Sequence, residues 1–421
     1  MTRQFPRRRY AAALPATLAA AALVLTGCSS DDSSDAAATT DATTDATTDA
    51  AAVDAPEPRL VTTYDGGVLT LDATTLDVVR DDKLDGFNRV NPLGDGRHVL
   101  ISTADGFRLF DAGVWTEDHG DHTHSYAADP RLTDKVYQAD KPGHVVRHDG
   151  KVILFSDGDG KMQIFDTADF ADASGDDAPD PTVETTDPHH GVAVELSDGT
   201  LVHTEGNPDE RHTVVAVDAD GQEIAKNDKC PGTHGEATAE GEAVAFGCED
   251  GVLLYKDGGF TKIQADRKYA RTGNQAGSDE STVVLGDYKV DEDADIERPT
   301  RVALTDTVAA STKVVDLGTS YSSRSLGRGP AGEALVLGTD GKLHVLDPDS
   351  GKETAAWSVI GPWEEPTDWQ EPQPTLFVQG DRAYVSEPDA KKLHVVDLSD
   401  GKVLTTAELP ETTNELVGVT G

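Results

Sequence analysis

The sequence predicts an all-β protein, a β-propeller with eight blades. A phrase made of a turn, alternating apolar residues and a closing aspartate recurs along the chain. Such alternation between Asp-Gly turns is typical of antiparallel hairpins. Successive copies end 39 to 55 residues apart, which is typical of four-stranded propeller blades. Helical periodicity is nearly absent. The copies end at Asp72, Asp111, Asp166, Asp218, Asp257, Asp306, Asp347 and Asp397.

The two ends of the repeat region predict how the ring closes. The first unit, from Arg59, begins with its middle strands and lacks an innermost one. The C-terminal segment Leu416–Val419 has the alternation needed to supply that strand. We therefore expect the N- and C-terminal strands to share one blade. A ring of seven blades is the alternative, because counting blades from sequence can slip by one.

The N-terminal residues have the pattern of an export signal. Four arginines within the first nine residues precede an apolar stretch over residues 11–25. That stretch is shorter than the roughly 20 residues of a membrane span and suits a signal sequence. It ends in Leu25-Thr26-Gly27-Cys28, which resembles the bacterial lipobox. We expect residues 1–27 to be a lipoprotein signal peptide and Cys28 to carry the lipid. The alternative is an ordinary secretory signal.

The segment after this signal is expected to be a disordered tether, residues 28–58. It contains Asp-Ala-Thr-Thr repeats and almost no large apolar side chain, so burial cannot offset the entropy cost of folding. Through it the propeller, residues 59–421, would be lipid-anchored to the cell membrane, outside the cytoplasm on the periplasmic or cell-surface side.

The charge balance excludes one class of partner. The chain has 77 acidic residues against 36 Lys and Arg, a formal net charge of -41. Binding a nucleic acid backbone requires clustered Lys and Arg, so we expect no nucleic acid partner.

Two cysteines remain when Cys28 is assigned to the lipid. Cys230 and Cys248 lie 18 residues apart and bracket one predicted hairpin. In an oxidising compartment such a pair favours a disulfide within one blade. A metal site built on the two cysteines is the alternative.

One short tract is rich in metal-binding side chains. Asp118, His119, Asp121, His122 and His124 lie within seven residues. Imidazole nitrogen and carboxylate oxygen are ligands that suit zinc or another borderline divalent metal. The alternative is a polar surface insertion without a metal.

A second histidine pattern emerges when the repeats are aligned on their closing aspartates. His144 and His234 lie 22 and 23 residues before the aspartates of their units, and His190 lies 28 before, with a hairpin extension over residues 207–210 accounting for the surplus. This column falls near the start of the innermost strand, beside the central channel. Three consecutive blades would then aim imidazoles at one channel mouth, a usual zinc shell. His189 is an alternative to His190.

The histidine column also has a plainer interpretation, in which these side chains only line a solvated channel. Glu236, two residues after His234, is a candidate fourth ligand or supporting group. Because zinc requires neutral imidazoles, we expect affinity to fall below about pH 6 to 6.5.

These features together resemble the AztD-like family of extracytoplasmic zinc metallochaperones. The resemblance covers roughly residues 58–421 and rests on four phrases: His119-Gly120-Asp121-His122-Thr123-His124, Gly143-His144-Val145-Val146, His189-His190-Gly191 and Cys230-Pro231-Gly232-Thr233-His234-Gly235-Glu236.

The resemblance implies a function. A member of this family binds Zn²⁺ and passes it to the zinc-specific solute-binding protein of an ABC importer. For the mechanism, we expect His144, His190 and His234 to form the high-affinity shell, with residues 118–124 as a capture or handover arm beside it. The opposite assignment stays open.

Two other functions remain alternatives. A metal-dependent propeller hydrolase would use an open zinc position to activate water. The sequence has no Gly-x-Ser-x-Gly phrase or Ser-His-Asp arrangement, so we expect no enzyme. A non-catalytic interaction or scaffold lipoprotein is the second alternative.

Overall fold

The computed structural model describes residues 50–170, 182–294 and 296–421 of the 421-residue chain. The predicted signal peptide, Cys28 and most of the predicted tether lie outside the described residues. Neither of the two described helices, both short 3₁₀ turns at Thr167–Phe170 and Pro388–Ala390, is long and apolar enough to cross a membrane.

The described chain folds into eight four-stranded antiparallel sheets and one smaller three-stranded sheet. The eight sheets are the predicted blades, so the expected count of eight is confirmed over the alternative of seven.

From residue 51 to the end of the fourth blade, the strands in chain order are β1 (Ala51–Val53), β2 (Arg59–Tyr64), β3 (Gly67–Asp72), β4 (Val78–Lys83), β5 (Arg89–Pro92), β6 (His98–Thr103), β7 (Gly106–Asp111), β8 (Val114–Asp118), β9 (Thr123–Ala127), β10 (Arg131–Gln138), β11 (Pro142–His148), β12 (Lys151–Ser156), β13 (Lys161–Asp166), β14 (Thr182–Glu184), β15 (Ala193–Glu195), β16 (Leu201–Gly206), β17 (Arg211–Val217) and β18 (Glu223–Asn227).

The remaining strands are β19 (His234–Ala239), β20 (Ala243–Cys248), β21 (Gly251–Lys256), β22 (Gly259–Gln264), β23 (Gln275–Ala276), β24 (Val283–Asp287), β25 (Arg301–Asp306), β26 (Ser311–Asp316), β27 (Leu326–Arg328), β28 (Ala334–Leu337), β29 (Lys342–Leu346), β30 (Glu353–Ser358), β31 (Leu376–Gln379), β32 (Arg382–Glu387), β33 (Lys392–Asp397), β34 (Val403–Glu408) and β35 (Thr413–Val419).

Blade 1 joins the two ends of the ring, as the sequence predicts. Its strand order is β35-β2-β3-β4, so the C-terminal strand is the innermost strand of the first blade. The register pairs Arg59 with Val419 and Thr62 with Leu416. Blades 3 to 8 each use four consecutive strands, and blade 2 uses β5, β6, β7 and β10.

The closing aspartate of the repeated phrase has a local structural role. Asp72 ends the third strand of blade 1, and its Oδ1 accepts hydrogen bonds from the backbone N–H of Thr74 at 2.8 Å and Thr75 at 2.7 Å. Asp306 does the same in blade 6. An aspartate that bonds the backbone two or three residues ahead ends a strand in a tight turn. This explains why the phrase closes on an aspartate in blades 1 and 6.

The core consists of apolar layers between neighbouring blades. Leu60, Leu69 and Leu71 of blade 1 pack with Tyr384 and Leu393 of blade 8. All five are almost completely buried, and each buried leucine contributes about 1.5–3 kcal/mol relative to an exposed one. The layers repeat around the ring, which fixes the innermost strands beside the channel.

The disulfide predicted between Cys230 and Cys248 is present, with the Cα atoms 4.9 Å apart. Both cysteines are fully buried and pack in the layer that joins blades 3, 4 and 5. The alternative of a metal site on these two cysteines is therefore wrong.

The excursion β8–β9 lies at one end of the channel. We call the face where the innermost strands begin the upper face, and the face where they end the lower face. In an antiparallel blade, the third strand runs in the same direction as the innermost strand. Strand β7 is the third strand of blade 2, so it ends at Asp111 on the lower face. Val114, at the base of the β8–β9 hairpin, packs near Val419. The Thr116 hydroxyl donates to the Gly421 carbonyl at 3.1 Å. The hairpin therefore belongs to the lower face.

Strand β1 extends this hairpin into the three-stranded sheet β1-β9-β8. Ala51 pairs with Ala127 and Val53 with Ser125. The sequence placed the whole of residues 28–58 in the tether, whereas the structure has a strand from Ala51. The reason is that β9 offers an open edge, whose backbone groups pair with even a short segment of small residues.

Candidate metal centre

Three histidines from consecutive blades converge at the upper face. His144 lies in β11 of blade 3, His190 precedes β15 of blade 4, and His234 begins β19 of blade 5. One ligand atom from each lies within 4.8 Å of the others. The two Nε2 atoms of His144 and His190 are 3.2 Å apart. We call this group the triad.

The outer nitrogens of two triad rings are held by fixed acceptors. His190 Nδ1 donates to Asp157 Oδ2 at 2.6 Å, and His234 Nδ1 donates to the Gly273 carbonyl at 2.7 Å. A ring that donates from Nδ1 presents an unprotonated Nε2. A carboxylate or carbonyl behind the ring is the usual support of a metal-binding histidine. The arrangement therefore presents lone pairs toward the centre of the triad.

The carbonyl behind His234 is itself fixed by a buried carboxylate. Asp287 is only 1% exposed. It accepts from the Gly273 N–H at 2.6 Å and from the Asn274 side chain at 3.0 Å. Asp287 thus positions His234 through the Gly273–Asn274 loop.

Two glycines allow the histidines to approach their supports. A Cβ atom on Gly143 would lie 2.1 Å from Asp157 Oδ1, and one on Gly191 would lie 2.3 Å from the Phe155 ring. A larger residue at either position would displace His144 or His190. This accounts for the Gly-His and His-Gly pairs of the sequence.

The surroundings favour the neutral imidazole of His144 and of His234. Burial lowers the pKa of His144 well below 6.5, and the neighbouring His190 and His234 lower it further. Burial also lowers the pKa of His234 to about 4, although its hydrogen bond to the Gly273 carbonyl acts in the opposite direction. Neutral imidazole is the form that binds a metal.

Two predicted residues near the triad are not part of it. His189 is buried, and its nitrogens lie 3.0 Å from the Asp187 carbonyl and 2.9 Å from the Thr204 hydroxyl. Of the His189/His190 pair, His190 is therefore the member that joins the triad. Glu236 lines a separate cavity of about 520 Å³ with Arg147. Burial raises the pKa of Glu236 to about 8.

The predicted tract 118–124 forms the exposed tip of the β8–β9 hairpin, which we call the arm. The rings of His119 and His124 are 5.1 Å apart between centroids, and those of His122 and His124 are 4.8 Å apart. Asp121 Oδ1 lies 2.7 Å from His122 Nδ1. Asp118 Oδ1 instead accepts from the Gly120 N–H at 2.6 Å. Three imidazoles are thus clustered in the arm as well.

The arm and the triad lie on opposite faces. The sequence-based expectation of an arm beside the channel site is therefore wrong. The physical reason is the direction of the strands. The third strand of a blade ends at the lower face, so an insertion that follows it lies there. The triad lies at the upper face, where the innermost strands begin.

Sequence reasoning missed the supports of the triad. Asp157 is one of 77 acidic residues and follows an ordinary strand end, so nothing in the sequence distinguishes it. Gly273 acts through its backbone carbonyl, which any residue has.

The chain is similar to proteins of known structure and role. It is 27% identical over 347 residues to the zinc chaperone AztD of Citrobacter koseri. The aligned segment covers 78% of this chain and 79% of that protein. The crystal structure of C. koseri AztD matches with a TM-score of 0.73 and 24% identity over 87% of this chain and 99% of that one. The dihydro-heme d1 dehydrogenase NirN, at a TM-score of 0.51 and 10% identity over 86% of this chain and 74% of that one, shares the fold alone. No protein-family model matches the chain.

Proposed function

Because this chain belongs to the AztD zinc chaperone family, we propose that it captures Zn²⁺ outside the cytoplasm and hands it to the zinc-specific solute-binding protein of an ABC importer. The triad carries this proposal. Its ligand atoms lie within 4.8 Å of one another, and two of its rings are oriented by fixed acceptors. Three imidazoles with one open position match a common zinc shell.

An open fourth position suits transfer as well as binding. A zinc ion held by three histidines accepts a ligand from an acceptor protein before it leaves the donor. Metal then passes through a shared intermediate and is not released to solvent. Such exchange requires no bond-breaking chemistry, so we propose that the protein is not an enzyme.

The arm is proposed as a second zinc site. His119, His122 and His124 would be its ligands, with Asp121 behind His122 and Asp118 supporting the turn. Since the arm is exposed on the lower face, it would capture zinc independently of the triad.

The compartment and the anchor complete the proposal. A buried disulfide fits an oxidising environment outside the cytoplasm. We further propose that Cys28 carries a lipid that holds the protein at the membrane. The described chain begins beside the β8–β9 hairpin, where β1 pairs with residues 125–127 of β9. The triad lies on the upper face, where we propose that the acceptor binds.

A transfer assay tests the function. The zinc-loaded protein is mixed with the metal-free solute-binding protein of a zinc importer from the same cell, in the presence of a chelator that scavenges free zinc. Direct delivery predicts that the acceptor fills before the chelator does. The triad variant with His144, His190 and His234 changed to Ala should deliver none from this site. If zinc instead divides between the acceptor and the chelator in proportion to their affinities, direct delivery is refuted.

A further inference from the structure

A cavity of about 410 Å³ lies between blades 5 and 6, and no residue of the triad lines it. Its walls come from strands β21, β22, β25 and β26 and from the connection over residues 265–272. The volume lies within the ~300–1,000 Å³ range of small-molecule sites. The cavity is therefore large enough for a small organic molecule, and the proposed zinc transfer does not use it.

The connection over residues 265–272 is fixed against both blades. The Ala270 N–H donates to the Glu249 carbonyl beside blade 5 at 2.7 Å. The Ala270 side chain is fully buried and packs with Tyr288 and Ala303 of blade 6. The connection is therefore part of the packed structure, and so is the cavity that it borders.

Two arginines line this cavity without a carboxylate partner. Neither Arg267 nor Arg301 forms a side-chain ion pair or hydrogen bond with any residue in the described part of the chain. The one carboxylate among the described residues of the lining belongs to Asp266. Asp250, next to the lining in the chain, is instead paired with Lys262, whose Nζ lies 2.5 Å from its Oδ1. The lining therefore has a net positive charge, in a chain where acidic residues outnumber Lys and Arg by 77 to 36.

Two buried side chains of the lining have hydroxyl groups without a partner. Tyr288 is 6% exposed and Thr272 is 3% exposed. Neither hydroxyl forms a hydrogen bond with residues 50–170, 182–294 or 296–421. In the same lining, by contrast, the Thr312 hydroxyl lies 3.0 Å from that of Thr305. Buried polar groups of native proteins are normally hydrogen-bonded, and an acceptor inside the cavity would meet this need.

The Arg301 guanidinium is held in place without being neutralised. Its Cζ lies 5.2 Å from the centroid of the Tyr288 ring, a cation–π distance. The backbones of both residues are fixed by Tyr321, whose hydroxyl donates to the Arg301 carbonyl at 2.6 Å and accepts from the Tyr288 N–H at 3.3 Å. An arginine that stacks on a ring keeps its N–H donors, which match the oxygens of a carboxylate or phosphate.

We propose that this cavity binds a small organic oxyanion, whose charged group contacts Arg301 and the Tyr288 hydroxyl. Arg267, at the exposed edge, adds attraction for the anion, and Val252 and Ile263 contact the apolar part of the molecule. The charged group is a carboxylate or a phosphate, because the arginine fork fits the oxygens of either. The site is separate from the triad, so the inference does not depend on the proposed function.

Calorimetric titration of the full mature protein tests this site. The protein is kept metal-free, so that no probe binds through zinc. The two probes are benzoate and phenyl phosphate, which share an apolar ring and differ in the charged group. Benzyl alcohol, which has the ring without a charge, is the reference.

Two variants separate the contributions of charge and hydroxyl. Arg267→Gln with Arg301→Gln removes both positive charges from the lining. Tyr288→Phe removes one hydroxyl and keeps the ring beside Arg301. The matched control is Arg80→Gln with Arg382→Gln, which removes the same charge from strands β4 and β32, away from the cavity.

The proposal predicts that at least one of the two anions binds once per chain and that benzyl alcohol binds far more weakly. The dissociation constant should rise about tenfold or more in the double arginine variant and about fivefold in Tyr288→Phe, and it should stay unchanged in the control. Binding of benzoate alone identifies the charged group as a carboxylate, and binding of phenyl phosphate alone identifies it as a phosphate.

Three results would overturn the proposal. The first is the absence of binding of either anion at millimolar concentration, and the second is the same affinity in the double arginine variant as in the wild type. The third is an equal loss in the control, which would show that the overall charge of the protein attracts the anion. Urea unfolding verifies that each variant is folded, and Tyr288→Phe decides the question if the double arginine variant is not.

Discussion

Asp157 Oδ2 lies 2.6 Å from His190 Nδ1 and fixes which nitrogen of that ring faces the other two histidines. The carboxylate comes from the turn after β12, in blade 3, whereas His190 belongs to blade 4. A contact between blades thus orients a ligand of the triad. Its second oxygen, Oδ1, is buried and has no hydrogen-bond partner among the described residues. Among the described residues, the hydrogen bond to His190 is therefore the one that this carboxylate makes.

Replacement of this carboxylate should weaken zinc binding without unfolding the protein. In Asp157→Asn, the side-chain amide can donate to Nδ1, which moves the ring proton to Nε2 and removes the lone pair that binds zinc. We expect affinity to fall about 10–100-fold, as for other groups that support metal-binding histidines. Competition with a fluorescent chelator measures this. Asp159→Asn is the matched control, since Asp159 pairs with Lys161 on the same turn. Equal losses in both variants would contradict the role given to Asp157.

The stability of the metal-free protein should fall as the pH falls from about 6.5 toward 4. Burial lowers the pKa of His234 to about 4 in the folded state, against 6.5 in the unfolded chain. Between these values the unfolded chain binds a proton that the folded protein excludes, so the free energy of unfolding decreases with falling pH. The lowered pKa also moves the expected loss of zinc below the pH 6 to 6.5 predicted from free histidine.

Urea unfolding at pH 7 and pH 5 measures this effect. His234→Gln removes the titrating group, so its stability should fall less between the two pH values than that of the wild type. The aspartates and other titrating groups are the same in both proteins, so their contributions to the pH dependence cancel in the comparison. An identical fall in the two proteins would show that His234 does not exclude the proton.

The disulfide should contribute to stability more than to zinc affinity. Cys230 and Cys248 close a loop of 18 residues that includes His234. The chain-entropy estimate for a loop of this size is about 3 kcal/mol. Cys230→Ala with Cys248→Ala should therefore lower the free energy of unfolding by about that amount, measured in urea. Zinc affinity should change less than in Asp157→Asn, because Asp287 still holds the loop behind His234. No change in stability would contradict this estimate.

The sequence predicts the sheet architecture well because the determinants are local. An aspartate such as Asp72 bonds the backbone immediately ahead of it, so each blade has its own signature. Ring closure by Leu416–Val419 follows from the strand that the first unit lacks. The column of His144, His190 and His234 was found because a repeat places equivalent residues at equivalent heights in the channel.

The parts that the sequence does not predict depend on tertiary contacts. Asp157 and the Gly273 carbonyl reach the triad across blade boundaries. The strand at Ala51–Val53 depends on the open edge of β9 and not on its own composition. The placement of the arm follows from strand parity, which becomes known only when each strand of blade 2 is assigned.

The zinc stoichiometry of the mature protein tests the central claim most directly. It is measured with nanomolar free zinc for the wild type, for the triad variant with His144, His190 and His234 changed to Ala, and for the arm variant with His119, His122 and His124 changed to Ala. We predict that the triad variant loses one tightly bound zinc per chain. The arm variant should retain that zinc, since sites on opposite faces act independently. Retention of the tight zinc by the triad variant, and its loss from the arm variant, would contradict the account.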